Sequence, residues 1–94
     1  MNRSDQIKNI HLATLDLFNK KNIDYGNAFT KYGIMGVLME IENKMQSSYS
    51  ITEKGITLVN GDSMKDILLD AHNYVTSALM LIDGYKNSID SYTK

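Results

Sequence analysis

The sequence contains no cysteine. That excludes a disulfide framework, a thiol nucleophile and cysteine-ligated zinc or iron–sulfur sites, and it fits a reducing, cytoplasmic setting. Arginine is scarce too. Of ten basic residues only Arg3 is an arginine, so the planar fork that reads guanine edges or grips phosphate in two places is almost missing. Charge of one sign is not in excess: ten basic against eleven acidic residues give a formal net charge of -1, which offers no general attraction for a nucleic acid duplex or an anionic membrane surface. No apolar run approaches the ~20 residues needed to span a bilayer, and Met1-Asn2-Arg3-Ser4-Asp5-Gln6 lacks the apolar core of a signal peptide. Proline is absent, and Gly33 and Gly36 are too sparse to make a phosphate-binding loop. What is present suits one folded domain over residues 1–94, with 43% hydrophobic and 22% charged residues.

The periodicity predicts a mainly α, small helical bundle of three principal helices. Ile7, Ile10, Leu17 and Phe18, with Thr14 on the same face, recur at helical spacing and place a first helix over residues 4–21, with Ser4 as N-cap and Asn19-Lys20-Lys21-Asn22 as exit. Asp24-Tyr25-Gly26-Asn27-Ala28-Phe29 follows as a segment of open conformation. Ile34, Val37, Leu38, Ile41 and Met45 share one arc and define a second helix over residues 33–48. Between residues 47 and 62 the pattern of Tyr49, Ile51, Ile56, Leu58 and Val59, broken by Ser, Thr and Glu53-Lys54-Gly55, suits at most a short two-strand hairpin, with an irregular linker as the rival. Ser63 followed by Asp66 has the form of a helix start, and the third helix runs over residues 63–83.

This third helix is apolar over more than one stripe, because Leu69, Met80 and Leu81 leave the face of Met64, Ile67, Leu68 and Ala71. Such a helix wants burial on nearly every side, which points to a homo-oligomer. Its polar residues form a single file: with Asp66 at 0°, Asp70 lies at about 40°, Asn73 at about 340° and Ser77 at about 20°. Two carboxylates, an amide and a hydroxyl between apolar flanks suit a helix that lines a polar pocket. Carboxylates four residues apart can also share Mg2+. The structural alternative makes Asp66 a cap, Asp70 an exposed edge and Asn73 a partner for neighbouring backbone. On the second helix Glu40 points with Asn43 and Lys44, so that facing helices would bring Glu40 toward Asp70; alternatively Glu40 and Lys44 form an ordinary surface ion pair. Tyr25 and the other tyrosines are candidates for stacking a nucleobase or for half-buried core. His11 and His72 have no partner at metal-ligand spacing, and Met35, Met39, Met45, Met64 and Met80 read as packing or protein contact, the basis of an adaptor reading.

Over residues 20–82 the segments Asp24 to Phe29, Gly36 to Lys44 and Ser63 to Tyr74 resemble the nucleotide modification associated domain 1 family. The most specific of them, Asp66-Ile67-Leu68-Leu69-Asp70-Ala71-His72-Asn73-Tyr74, is similar to that family's Asp-Thr-Leu-Leu-Asp-Leu-x-Asn-Tyr signature. The resemblance implies a small helical protein of phages and mobile elements, tied to nucleotide and base-modification metabolism. A more distant similarity, to all-helical MazG-type nucleoside triphosphate pyrophosphohydrolases, implies Mg2+ held by acid-x-x-acid pairs. Here those positions read Glu40-x-x-Asn43 and Asp70-x-x-Asn73, each with an amide for its second acid. Family members also tend to carry Arg then Asp where this chain has Glu40 and Asn43.

The sequence reading is therefore a phage-type protein that binds, and sequesters from a host defence pathway, a nucleotide or nucleotide-derived signal in a helix-lined pocket of an oligomer. The ligand-binding candidates are Asp70, Asn73, Asp66, Glu40, Lys44, Tyr25 and Ser77. No cofactor is required; Mg2+ on Glu40 and Asp70 belongs to the alternative, a pyrophosphohydrolase in which Asp66 also helps to hold the metal.

Overall fold

The computed structural model describes the backbone of residues 2–93 and the side chains of residues 2–57 and 60–84. Three helices account for it: α1 (Arg3–Tyr32), α2 (Ile34–Lys54) and α3 (Leu58–Thr93). The helical bundle of the sequence reading is present. Among the described residues there is no strand.

Helix α1 is capped by Asn2, ahead of the expected Ser4. Asn2 has extended backbone, and its Oδ1 accepts a hydrogen bond from the Asp5 amide at 2.9 Å. This satisfies one of the N–H groups that a helix start leaves unpaired. The exit expected near residue 21 corresponds to a real break, for Lys21 has φ -114° and ψ 20° inside an otherwise helical run. The chain does not leave the helix there. It resumes through Asp24 to Phe29 and stops at Gly33, whose φ of 63° and ψ of -144° suit glycine and whose N–H donates to the Phe29 carbonyl at 2.7 Å.

The same Gly33 opens α2, and the reversal lays α2 back along α1. Gly36 lies where α2 passes close to α1: a Cβ there would collide with the carbonyl oxygen of Ala28 and lie 3.2 Å from Tyr32 Cβ. Val37, one residue on, is fully buried.

The hairpin between residues 47 and 62 is corrected by the structure. Helix α2 continues to Lys54, and α3 begins at Leu58, five residues before the expected start. The hydroxyls of Ser47, Ser48 and Thr52 donate to the carbonyls of Asn43, Lys44 and Ser48, four residues back, at 3.1, 3.0 and 2.9 Å. Residues that punctuate a strand pattern are thus absorbed into a helix by bonding its own backbone. Gly55, with φ 90°, ends α2. Thr57 and Asn60 then cap α3 reciprocally: the Asn60 amide donates to Thr57 Oγ1 at 3.2 Å, and the Thr57 amide donates to Asn60 Oδ1. This is a capping box with Asn in the place of the usual acid. Ser63 and Asp66 accordingly lie inside α3, not at its start.

The core is small. Tyr25, Val37, Tyr74 and Ala78 form it, with Phe18, Ala28, Ile34, Ile41 and Leu81 packed around them. Phe18 stacks on Tyr25 with ring centroids 5.4 Å apart, and Tyr74 meets Tyr25 edge-on at 4.9 Å. These are the arrangements that ring quadrupoles favour. Tyr25 therefore belongs to the core, and only its hydroxyl is available for polar chemistry.

Candidate ligand site

That hydroxyl points at Asp70. Tyr25 Oη donates to Asp70 Oδ1 at 2.6 Å. Lys21 Nζ, from the residue at the break in α1, lies 3.0 Å from both carboxylate oxygens, and Lys44 Nζ, from α2, lies 3.1 Å from Oδ2. One carboxylate on α3 thus receives donors from both other helices. Asp70 itself is 6% exposed, whereas the Lys21 and Lys44 side chains are 36% and 28% exposed. Two ammonium groups meet one carboxylate at Asp70, and Asp66 nearby brings the formal charge of the four groups to zero.

Burial alone would raise the Asp70 pKa, but the Tyr25 hydroxyl and the Lys21 and Lys44 ammonium groups outweigh it and hold the carboxyl below its ordinary range. The opposite holds for Tyr25, whose phenol is pushed well above its ordinary value by burial and by its bond to Asp70. Tyr74 is pushed up to about 12 by burial, with the negative charges of Glu40, Asp70 and Asp24 adding to the effect.

Asn73 completes the buried cluster. Its amide nitrogen donates to the Thr14 carbonyl at 2.9 Å and to Tyr25 Oη at 3.2 Å, and its Oδ1 faces His72 Nδ1 at 3.3 Å. No buried side-chain nitrogen or oxygen among the described residues lacks a partner. Ser77 donates to the Asn73 carbonyl on its own helix at 2.8 Å. Asn73 and Ser77 are therefore engaged within the bundle.

Beside the cluster lies an open cavity of about 460 Å3, lined by Leu17, Lys21, Lys44, Asp66, Ile67 and Asp70. Asp66 is exposed at its edge. Glu40 lines a different cavity, of about 260 Å3, together with Asn27, Lys31, Tyr32, Met39 and Asn43. Thus Asp66, Asp70 and Lys44 share one cavity while Glu40 faces another. Lys44 is bonded to Asp70, a third arrangement beside the surface pair with Glu40.

Mg2+ does not fit this donor set. Hard divalent cations need several free oxygens, and both Asp70 oxygens already accept from cations or a phenol. No group of three or more His, Asp or Glu side chains among the described residues is arranged to hold a metal ion.

Lys21 is the site residue that sequence reasoning missed, having been read only as part of a polar helix exit. The signal was available: Lys21 precedes Tyr25 by four residues and shares the helix face of Thr14 and Phe18.

Comparison of the chain with known protein families, curated proteins and solved structures gives no match. No helix among the described residues is long and apolar enough to cross a membrane.

Proposed function

We propose that this chain binds a small anionic molecule of nucleotide type in the cavity bounded by Lys21, Lys44, Asp66 and Asp70, and holds it without cleaving it. The observation that carries the reading is the convergence of two lysines on one carboxylate at the edge of an open cavity. Asp70 neutralises one ammonium and Asp66, at the exposed edge, offsets the other, so a phosphate is drawn by the Lys21 and Lys44 N–H donors that Asp70 leaves unused, not by a net charge of the cavity. Leu17 and Ile67 supply apolar wall for a base or sugar, and Asp66 supplies an acceptor for an amino or hydroxyl group. The resemblance of residues 66–74 to a nucleotide-associated family supports the same ligand class, and a sequestering role in phage–host conflict is the biological setting it implies.

Asp70, Tyr25 and Asn73 act in this scheme as positioning groups that fix the lysines. Hydrolysis of a triphosphate by the MazG-type route would ask Asp70 and Glu40 to share a metal ion. Asp70 is committed to its cations and Glu40 lines another cavity, so binding is favoured over hydrolysis.

Isothermal titration against AMP, ATP and a cyclic dinucleotide, with mass spectrometry of the recovered nucleotide, tests this reading. Intact nucleotide should be recovered from the wild type. Lys44→Ala and Lys21→Ala should each weaken binding by about tenfold or more, equivalent to ~1.4 kcal/mol, with a smaller difference at high salt because the site is partly open. Each variant keeps one lysine and Tyr25 on Asp70, so helix content should be retained. Absence of binding across the panel, or variants that bind like the wild type, would overturn the assignment.

A further inference from the structure

The outer side of α3 carries a pattern whose aliphatic members neither the core nor the ligand cavity uses, while His72 within it meets Asn73 and the His11 ring. Leu68, His72, Val75, Leu79 and Ile82 follow one another at spacings of 4, 3, 4 and 3, the repeat of a coiled-coil seam. On the helical wheel they fall within about 80° of arc, whose centre lies about 160° from the buried Asp70, 120° from Tyr74 and 80° from Ala78. Leu68, Val75, Leu79 and Ile82 are 43%, 45%, 57% and 47% exposed. An aliphatic seam of this length in water forfeits its hydrophobic stabilisation unless something covers it.

We infer that α3 pairs antiparallel with α3 of a second copy of this chain through this seam. Area, layer composition and charge support that occupant. The accessible surface is 7165 Å2, whereas a compact monomer of 10.6 kDa would expose roughly 5,500 Å2. The surplus, summed over the whole chain, is large enough to include the ~800 Å2 that each partner buries in a standard interface. Under antiparallel alignment Leu68 meets the partner's Leu79, and His72 meets the partner's Val75. Lys65, one turn before Leu68, then lays its aliphatic stem on the partner's Ile82, with its ammonium beside the partner's Asp83.

Lys65 and Asp83 are both exposed and share one side of the helix. Their own midpoint, residue 74, falls within about one residue of the axis of the layers between Asn73 and Tyr74, so a two-fold axis there forms the Lys–Asp contact twice. A parallel pair would instead set Lys65 on Lys65, His72 on His72 and Asp83 on Asp83. The groove of about 440 Å3 lined by Ile10, Ile56, Met64, Leu68, Leu69 and His72 adjoins the N-terminal half of the seam. There the antiparallel arrangement delivers the partner's Leu79 and Ile82. This inference does not depend on the proposed ligand.

The absence of native cysteine makes a cross-linking test direct. Leu68→Cys and Leu79→Cys full-length proteins, mixed in equal amounts and oxidised gently, should give a mixed disulfide dimer. Each alone should cross-link poorly, because antiparallel pairing leaves the two copies of one position ~16 Å apart along the axis, too far for a disulfide. In sedimentation equilibrium, Lys65→Asp and Asp83→Lys should each weaken association by about tenfold, and the double exchange should restore it. Both positions are exposed, so circular dichroism should show unchanged helix content. A wild type that stays monomeric at tens of micromolar would overturn the proposal. So would either cysteine variant cross-linking alone as fully as the mixture, or a double exchange that fails to recover association.

Discussion

Replacing Asp70 with asparagine should lower the free energy of unfolding by about 3 kcal/mol, read from urea denaturation followed by circular dichroism. The carboxylate is 6% exposed and receives Lys21, Lys44 and Tyr25 together. An amide of nearly the same shape keeps the volume but removes the charge, leaving two part-buried ammonium groups without their counter-ion. It also replaces a charge-assisted bond from Tyr25 with a neutral one. Removing one member of a paired charge cluster costs more than the cluster adds to stability, because the remaining members keep their desolvation penalty. Tyr25→Phe, which retains the ring packing against Phe18 and Tyr74, should cost less, about 1 to 2 kcal/mol. Were Asp70 merely an element of a wet pocket, its substitution would leave stability nearly unchanged, and that result would rule out a structural role for the carboxylate.

Acid should reproduce part of the Asp70→Asn effect. The folded-state pKa of Asp70 is depressed below the ordinary 3.8. The stability it contributes is therefore fully present above its unfolded pKa, near 4, and is lost as pH falls through the folded value. Wild-type stability should decline more steeply below about pH 4 than that of the asparagine variant, which has no proton to bind at this position.

Gly36→Ala should destabilise the chain by about 3 kcal/mol or more, the upper part of the range for overpacking in a tight contact. The added methyl group would collide with the backbone carbonyl oxygen of Ala28, which cannot turn aside as a flexible side chain does. Relief requires α2 to move off α1, and Val37, fully buried one residue later, would lose packing with it. Gly26→Ala is the matched control. It lies within α1, a Cβ there meets nothing within 4 Å, and alanine is the better helix former. The expected result is a gain of about 0.5 to 1 kcal/mol. One substitution type with opposite signs at two helical glycines would separate close approach from intrinsic propensity; a neutral Gly36→Ala would contradict the interhelical contact.

The number of helices and their order were legible because Ile34, Val37 and Ile41, and likewise Ile67, Ala71, Tyr74 and Ala78, repeat at helical spacing. Their ends were less so. Ser47, Ser48 and Thr52 resemble loop residues until their hydroxyls are seen on carbonyls of the preceding turn, and Thr57 with Asn60 supplies a helix start with an amide where an acid is usual. The polar file of α3 was also visible, with Asp70 and Asn73 facing inward together. Periodicity within one helix says nothing about which lysine of another helix will answer a carboxylate. Lys21, the residue at which α1 breaks and then continues, meets Asp70 across 49 residues of chain. Glu40 and Lys44, adjacent on a wheel, line separate cavities for a related reason: long side chains diverge according to what the neighbouring helices offer.

The three-way tie at Asp70 also has a kinetic meaning. Its partners Lys21, Tyr25 and Lys44 precede it by 49, 45 and 26 residues, whereas Gly33 and Gly36 bring α1 and α2 together through a reversal of a few residues. Closing the short α1–α2 loop costs less chain entropy than closing the longer ones that Asp70 requires. The reversals at Gly33 and at Gly55–Thr57 are both short, so the α1–α2 and α2–α3 pairs are expected to form before Asp70 gathers Lys21 and Tyr25 from α1. Stopped-flow kinetics should accordingly show the loss of Asp70 mainly as faster unfolding, with the refolding rate little altered. The carboxylate acts as a latch whose chief effect is on the lifetime of the native state.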